Sequence, residues 1–147
     1  MAYTLITANR NYSSWSLRPW LLMTVLDIPF YDRIAPFAKA VNYAEFRAFS
    51  PTGQVPALID DDRTVWDSLG IALYLADRHD GVWPIVESAR AWAQCAAAEM
   101  HSGFAALRND CPMNVGVRVE SSAPSLALAK DVARLAELWG EGLARFG

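Results

Sequence analysis

Three hydroxyls in a row, Tyr12, Ser13 and Ser14, stand immediately ahead of an apolar helical pattern. Ser13 and Ser14 occupy positions where helix caps stand. A hydroxyl donor at the positive end of a helix can also hold a negative charge. The segment alone leaves both uses open. A second group lies in residues 52–68, TGQVPALIDDDRTVWDS. Pro56 precedes a short apolar run and cannot donate a ladder hydrogen bond, so it belongs at an edge, a strand start or a special turn. An X-Pro bond adopts the cis form at little cost, usually in a tight turn. Val55 would then turn its backbone N–H and C=O away from its own sheet, and such groups at a surface groove bind an extended peptide as an added strand. Asp67 and Ser68 close the stretch and read as a helix start, for which an ordinary cap is a sufficient explanation.

The remaining reactive side chains are less informative. Cys95 lies among alanines and reads as buried packing. Cys111 falls in a loop with no helix start or basic neighbour to activate its thiol. A Cys-x-x-Cys pair is absent at the first helix, which disfavours thioredoxin-type disulfide exchange. His79 sits at a helix C-terminus and reads as a cap. His101 has no Cys or His at ligand spacing, which argues against a metal site. Arg18 reads as the partner of a carboxylate inside the fold.

The elements that must hold these residues follow from pattern and punctuation. Residues 3–7 read as a strand, 14–26 as a helix with Pro19 inside it, and 30–35 as a second strand. Asp32 and Arg33 mark that strand as an edge or an exposed face. Residues 39–49 give a weaker helix, broken by Ser50-Pro51-Thr52-Gly53. Two short strands around Asp60-Asp61-Asp62 form a hairpin, and 67–80 reads as a helix with Leu69, Ala72, Leu73 and Ala76 aligned. A strand–helix–strand unit implies a parallel pair with a crossover, and the hairpin adds antiparallel strands. The order matches a thioredoxin-like α/β layout. Residues 81–87 form a linker carrying Gly81 and Pro84. Beyond it only helices are expected, over 88–108 and 125–146, with a broken segment between.

Gln54-Val55-Pro56-Ala57-Leu58, a hairpin, and then an acidic residue followed by Ser68 together resemble the glutathione-binding half of the glutathione S-transferase family. The segment from Ser13 to Arg18 is similar to the Ser-Ser-x-Ser-x-Arg start of its serine-type members, such as the zeta class. Asp67 stands where the family more often has Glu or Gln, and Gly70 where it often has Ala. The resemblance implies a thioredoxin-like domain over 1–80 and an all-helical C-terminal domain, here partial, over 88–147. It implies glutathione as co-substrate, a small electrophile bound between the domains, and a homodimer. Ser13 or Ser14 would hold the thiolate, with Tyr12 as a third possible hydroxyl. Val55 would pair its backbone with the cysteinyl unit, and Gln54 would add a contact beside Pro56. Ser68 and the following N–H would receive the γ-glutamyl carboxylate, Asp67 the ammonium, and Lys39 the glycine carboxylate. Two helices do not complete the family's second domain. The expectation is therefore a shortened chain, or a partner chain over Trp92, Phe104, Trp139 and Phe146.

Composition sets limits on the alternatives. A net charge of −3 makes the chain a poor ligand for nucleic acid or an anionic membrane through bulk electrostatics. No signal-peptide pattern opens it, and no apolar run is long enough to span a bilayer. Two cysteines are too few for a secreted disulfide scaffold, so a cytoplasmic protein is the simplest fit. A non-catalytic binding module with the same fold is the alternative to a transferase, since fold does not dictate activity.

Overall fold

The computed structural model describes residues 3–37, 43–120 and 123–147. The chain divides into two compact units, Met1–Val82 and Trp83–Gly147. In the first, β1 (Tyr3–Thr7), α1 (Ser14–Val25) and β2 (Phe30–Ile34) form a strand–helix–strand unit with parallel strands. The short helix α2 (Tyr43–Arg47) follows. A hairpin, β3 (Ala57–Asp60) and β4 (Arg63–Trp66), leads into α3 (Ser68–Ala76). The sheet order is β2-β1-β3-β4, with β3 antiparallel to both neighbours. This is the thioredoxin-like arrangement.

Burial explains why each strand takes its place. β1 is buried along most of its length and runs between two partners. β2 carries Asp32 and Arg33 at the edge and is largely exposed, as charged strand residues require. Tyr3 and Leu5 of β1 and Leu58 of β3 pack with Met23 of α1 and Ile71 and Leu75 of α3 in one apolar cluster. α1 carries Pro19 fully buried in its second turn. The helix stops at Leu26 because Asp27 turns left-handed with φ 52°. Asp27 N–H then donates to Thr24 O at 3.3 Å and Ile28 N–H to Met23 O at 2.9 Å, which satisfies the last carbonyls in a Schellman arrangement. The hairpin turns on Asp61 and Asp62, with Asp60 opposite Arg63 and Asp61 at φ 53°, a conformation that aspartate tolerates.

α3 ends at Ala76, earlier than the expected 80. Its last turn tightens as Arg78 and His79 N–H both donate to Leu75 O. His79 does not use its side chain as a cap: its Nε2 shares a hydrogen bond of 2.9 Å with Tyr3 Oη, tying the end of the helix to β1.

In the second unit the single helix expected over 88–108 is two, α4 (Glu87–Ser102) and α5 (Ala105–Asp110). Gly103 is extended and Phe104 is left-handed with φ 60°. A Cβ at Gly103 would lie 2.8 Å from Glu99 O, so glycine is what the break demands. Arg108 donates back to Gly103 O at 3.0 Å and also to Met100 O, filling carbonyls that the break leaves open. Phe104 offers no capping side chain. Asp131 Oδ2 of α6 (Leu126–Phe146) takes that role by accepting Leu107 N–H at 3.0 Å. Arg134 of α6 grips both oxygens of Glu99 on α4, at 2.6 and 2.9 Å. Of the four aromatics expected to form an open patch, Phe104 is buried and Trp92 packs on Phe146 at 5.8 Å, while Trp139 is exposed. Cys95, expected in packing, is exposed, because α4 has no fully buried position.

Candidate functional site at one end of the sheet

Strand register decides which of the singled-out residues meet. Ile6 of β1 lies opposite Ala57 of β3, and Ala57 lies opposite Trp66 of β4. Strands sit about 4.8 Å apart, so the three positions span about 10 Å across one end of the sheet. Three connections emerge there: residues 8–13 after β1, Val55–Pro56 before β3, and Asp67 after β4. Ser13, Ser14, Val55, Pro56, Asp67 and Ser68 therefore gather at one sheet end through topology alone. Gln54, exposed, precedes them on the same approach to β3. Lys39 lies outside the described residues.

The loop after β1 is held at several points. Asn9 O accepts the N–H groups of Tyr12 and Ser13, at 3.1 and 2.8 Å. Asn9 Oδ1 accepts Phe37 N–H at 3.0 Å. Arg10 Nη1 donates to Thr7 Oγ1 at 2.9 Å and to Asp32 Oδ1 at 2.8 Å, and the guanidinium lies over the Trp20 ring. Trp20 Nε1 also donates to Asp32, so the edge strand braces the loop. Arg18 lies over the Trp15 ring at 4.2 Å.

Ser13 stands at the N-cap of α1, yet its side chain makes no capping bond. It is buried and donates to Ser16 Oγ at 2.9 Å. Ser16 Oγ also accepts Ala8 N–H at 3.0 Å. Ser14 opens the helix, half-buried, and its hydroxyl makes no hydrogen bond among the described residues.

At the second connection the Val55–Pro56 peptide is cis. Pro56 is buried and Val55 half-buried. Val55 lies ahead of the ladder, whose pairing with β4 starts at Ala57.

Asp67 is the N-cap of α3: its Oδ1 accepts Leu69 N–H at 2.8 Å and Gly70 N–H at 3.2 Å. Its backbone sits at φ 70°, ψ 138°, a sparsely populated region for any residue with a Cβ. Ser68, the first residue of α3, is 6% exposed, and its Oγ has no hydrogen-bond partner. Most buried hydroxyls are bonded. A strained residue followed by an orphaned hydroxyl, at a helix N-terminus, is a local arrangement suited to an anion. Leu69 N–H, expected to share a ligand carboxylate, is already taken by Asp67. The Ser68 hydroxyl has no competing acceptor and remains for that role. Asn9 and Arg10 carry no sequence signal for this bracing, and Ser16 enters only as the third serine of the Ser-Ser-x-Ser-x-Arg pattern. For Ser16 a signal existed, since a three-residue spacing from Ser13 puts both on one helix face.

Among the described residues, no group of three or more His, Cys, Asp or Glu side chains is placed to hold a metal ion. No helix among them is long and apolar enough to cross a membrane.

Residues 12–78 match the family model described as Glutathione S-transferase, N-terminal domain. The chain is similar to a dichloromethane dehalogenase of Methylorubrum extorquens, 39% identical over 61 residues, which cover 40% of this chain and 21% of that protein. It is also similar to Glutathione S-transferase 1 of Schizosaccharomyces pombe, 38% identical over 69 residues, covering 42% of this chain and 30% of that one. The matched stretches thus span less than a third of these relatives. Among solved structures, a glutathione transferase homologue from Burkholderia with bound glutathione superposes with TM-score 0.67 at 20% identity, over 92% of this chain and 67% of that one. Glutathione S-transferase unclassified 2 of Bombyx mori gives TM-score 0.71 at 22% identity, over 96% and 68%. At such identities the structures show the fold. The thioredoxin-like first unit thus matches the N-terminal domain of the glutathione S-transferase family over residues 12–78.

Proposed function

We propose that this chain binds glutathione at the sheet end described above and acts as a glutathione transferase on a small electrophile. The observation that carries the reading is Ser68: a hydroxyl buried at the start of α3 without a hydrogen-bond partner, following a strained Asp67. The γ-glutamyl carboxylate would supply the missing partner. The Asp67 carboxylate would offset the neighbouring ammonium, and Val55, ahead of its ladder, would offer backbone groups to the cysteinyl unit, with Gln54 beside it. Lys39 is assigned to the glycine carboxylate on the family pattern. The bound glutathione of the Burkholderia homologue supports the ligand, and the transferase names of the relatives support the reaction class.

A free thiol has a pKa of about 8.5, so only a few per cent is thiolate at neutral pH. A hydroxyl at the N-terminus of α1, from Ser14 or Ser13, would donate to the sulfur and lower that value. The thiolate then attacks the electrophile. A cytoplasmic homodimer is the setting that this reading carries.

The test is a titration with glutathione, following tryptophan fluorescence for binding and thiolate absorbance for ionisation. Saturation in the millimolar range or below, weakened by Ser68→Ala, is expected. Unsaturated binding at millimolar glutathione, or the same affinity after Ser68→Ala, overturns the reading.

A further inference from the structure

We propose that Ser16 is a positioning residue that commits the Ser13 hydroxyl to the interior and thereby leaves Ser14 as the hydroxyl available to a bound thiolate. The proposal rests on the glutathione reading above and deepens it. Sequence presents two adjacent serines as equivalent donors. Their environments are not equivalent. Ser16 is fully buried, and its Oγ receives two hydrogen bonds, from Ala8 N–H at 3.0 Å and from the Ser13 hydroxyl at 2.9 Å. A hydroxyl has one proton to donate. While Ser13 gives its proton to Ser16, it has none for a sulfur anion. Ser14 keeps its proton, because its hydroxyl makes no hydrogen bond among the described residues.

The arrangement is held from outside the pair. Ala8 N–H fixes Ser16 Oγ against the end of β1, and Asn9 O fixes Ser13 through its backbone N–H at 2.8 Å. Ser16 thus sits where the loop and the helix are tied together, in the first turn of α1, and is fully buried. Its effect runs through Ser13.

The assay follows thiolate absorbance of bound glutathione against pH, with binding read separately by tryptophan fluorescence. Ser14→Ala is expected to move ionisation of the bound thiol upward by about one pH unit or more, toward the free value of about 8.5. Adding Ser16→Ala frees the Ser13 proton and should move ionisation back down. Adding Ser16→Thr instead keeps an acceptor hydroxyl and should restore nothing. A purely structural Ser16 would lower Tm in both double variants and restore ionisation in neither. If wild type fails to bind glutathione, the reading beneath fails and the assignment goes with it. If glutathione binds but Ser14→Ala leaves the ionisation in place, the assignment alone is wrong. The same holds if Ser16→Ala restores nothing in the Ser14→Ala background.

Discussion

Ser68→Ala should make the isolated protein more stable and a worse glutathione binder, two effects that a simple capping residue would not combine. A buried hydroxyl without a partner costs about 1–3 kcal/mol. Removing Ser68 Oγ, which is such a group, removes that cost. Alanine is also the better helix former by a few tenths of a kcal/mol. A stabilisation of about 1 kcal/mol raises Tm by about 4–8 °C in a domain of 60–100 residues. The first unit, Met1–Val82, falls in that range. With ligand the balance turns. A hydrogen bond to a charged group contributes about 1.5–3 kcal/mol, so its loss should weaken glutathione about ten- to 150-fold.

Melting curves with and without glutathione separate these effects. At a ligand concentration 100 times its Kd, wild type gains about 2.7 kcal/mol from binding. A variant bound about 30-fold more weakly gains only about 0.9 kcal/mol at the same concentration. The order of the two Tm values should therefore invert between apo and saturated samples, or come close to inverting. A lower apo Tm for Ser68→Ala, with an unchanged shift on adding glutathione, would refute the reasoning. Ser68 would then be a satisfied helix-start residue.

Three further outcomes follow from named contacts. Asp67→Asn keeps an acceptor for Leu69 and Gly70 N–H, so the cap should survive, while affinity should fall several-fold through loss of the charge proposed to face the ammonium; Asp67→Ala should lower Tm as well, by the cap's worth of about 1 kcal/mol. The Arg134 guanidinium, hydrogen-bonded to Glu99, holds that carboxyl below the usual range. This contribution is present above the unfolded value of about 4.3 and is lost as pH falls through the folded one. Glu99→Gln should therefore lower Tm at pH 7 and match wild type well below pH 4, as circular dichroism melts would show. Gly142 faces Trp92, whose Cζ2 would lie 2.8 Å from an added Cβ. Gly142→Ala should displace the indole, costing about 1–3 kcal/mol by overpacking, with a fluorescence shift and a lower Tm for the helical unit.

The first unit was legible because its signals agree across levels. β-favouring residues mark β1, charges mark the edge strand, and Asp60-Asp61-Asp62 between two short runs marks a hairpin. Boundaries were less legible where tertiary contacts set them. Nothing local says that His79 will turn back to Tyr3 Oη and stop α3 at Ala76. Gly103 reads as part of a helix in the sequence, since an isolated glycine inside a periodic run is tolerated. Its decisive feature, the 2.8 Å from a would-be Cβ to Glu99 O, exists only once the chain is folded. Cys95 failed for a related reason: an alanine-rich stretch resembles a core, but α4 has no fully buried position.

The site divides along the same line. Residue types and spacing pick out Ser13, Ser14, Val55, Pro56, Asp67 and Ser68, because caps, prolines and acidic–serine pairs have strong local preferences. Those preferences are also why the sequence leaves every one of them with an ordinary explanation. What separates the two uses is where protons and backbone angles end up. Ser13 occupies a cap position and does not cap; its proton goes to Ser16. Asp67 does cap, but from φ 70°, where glycine would rest more easily. Ser68 is buried and its hydroxyl is left without a partner. Each departs from what local stability alone would select, and all three sit where β1, β3 and β4 bring their connections together. Strain alone does not mark this end, since Asp27, Asp61 and Phe104 also take positive φ; what sets it apart is that a strained cap adjoins an orphaned buried hydroxyl, a local rule broken in the way functional sites break them.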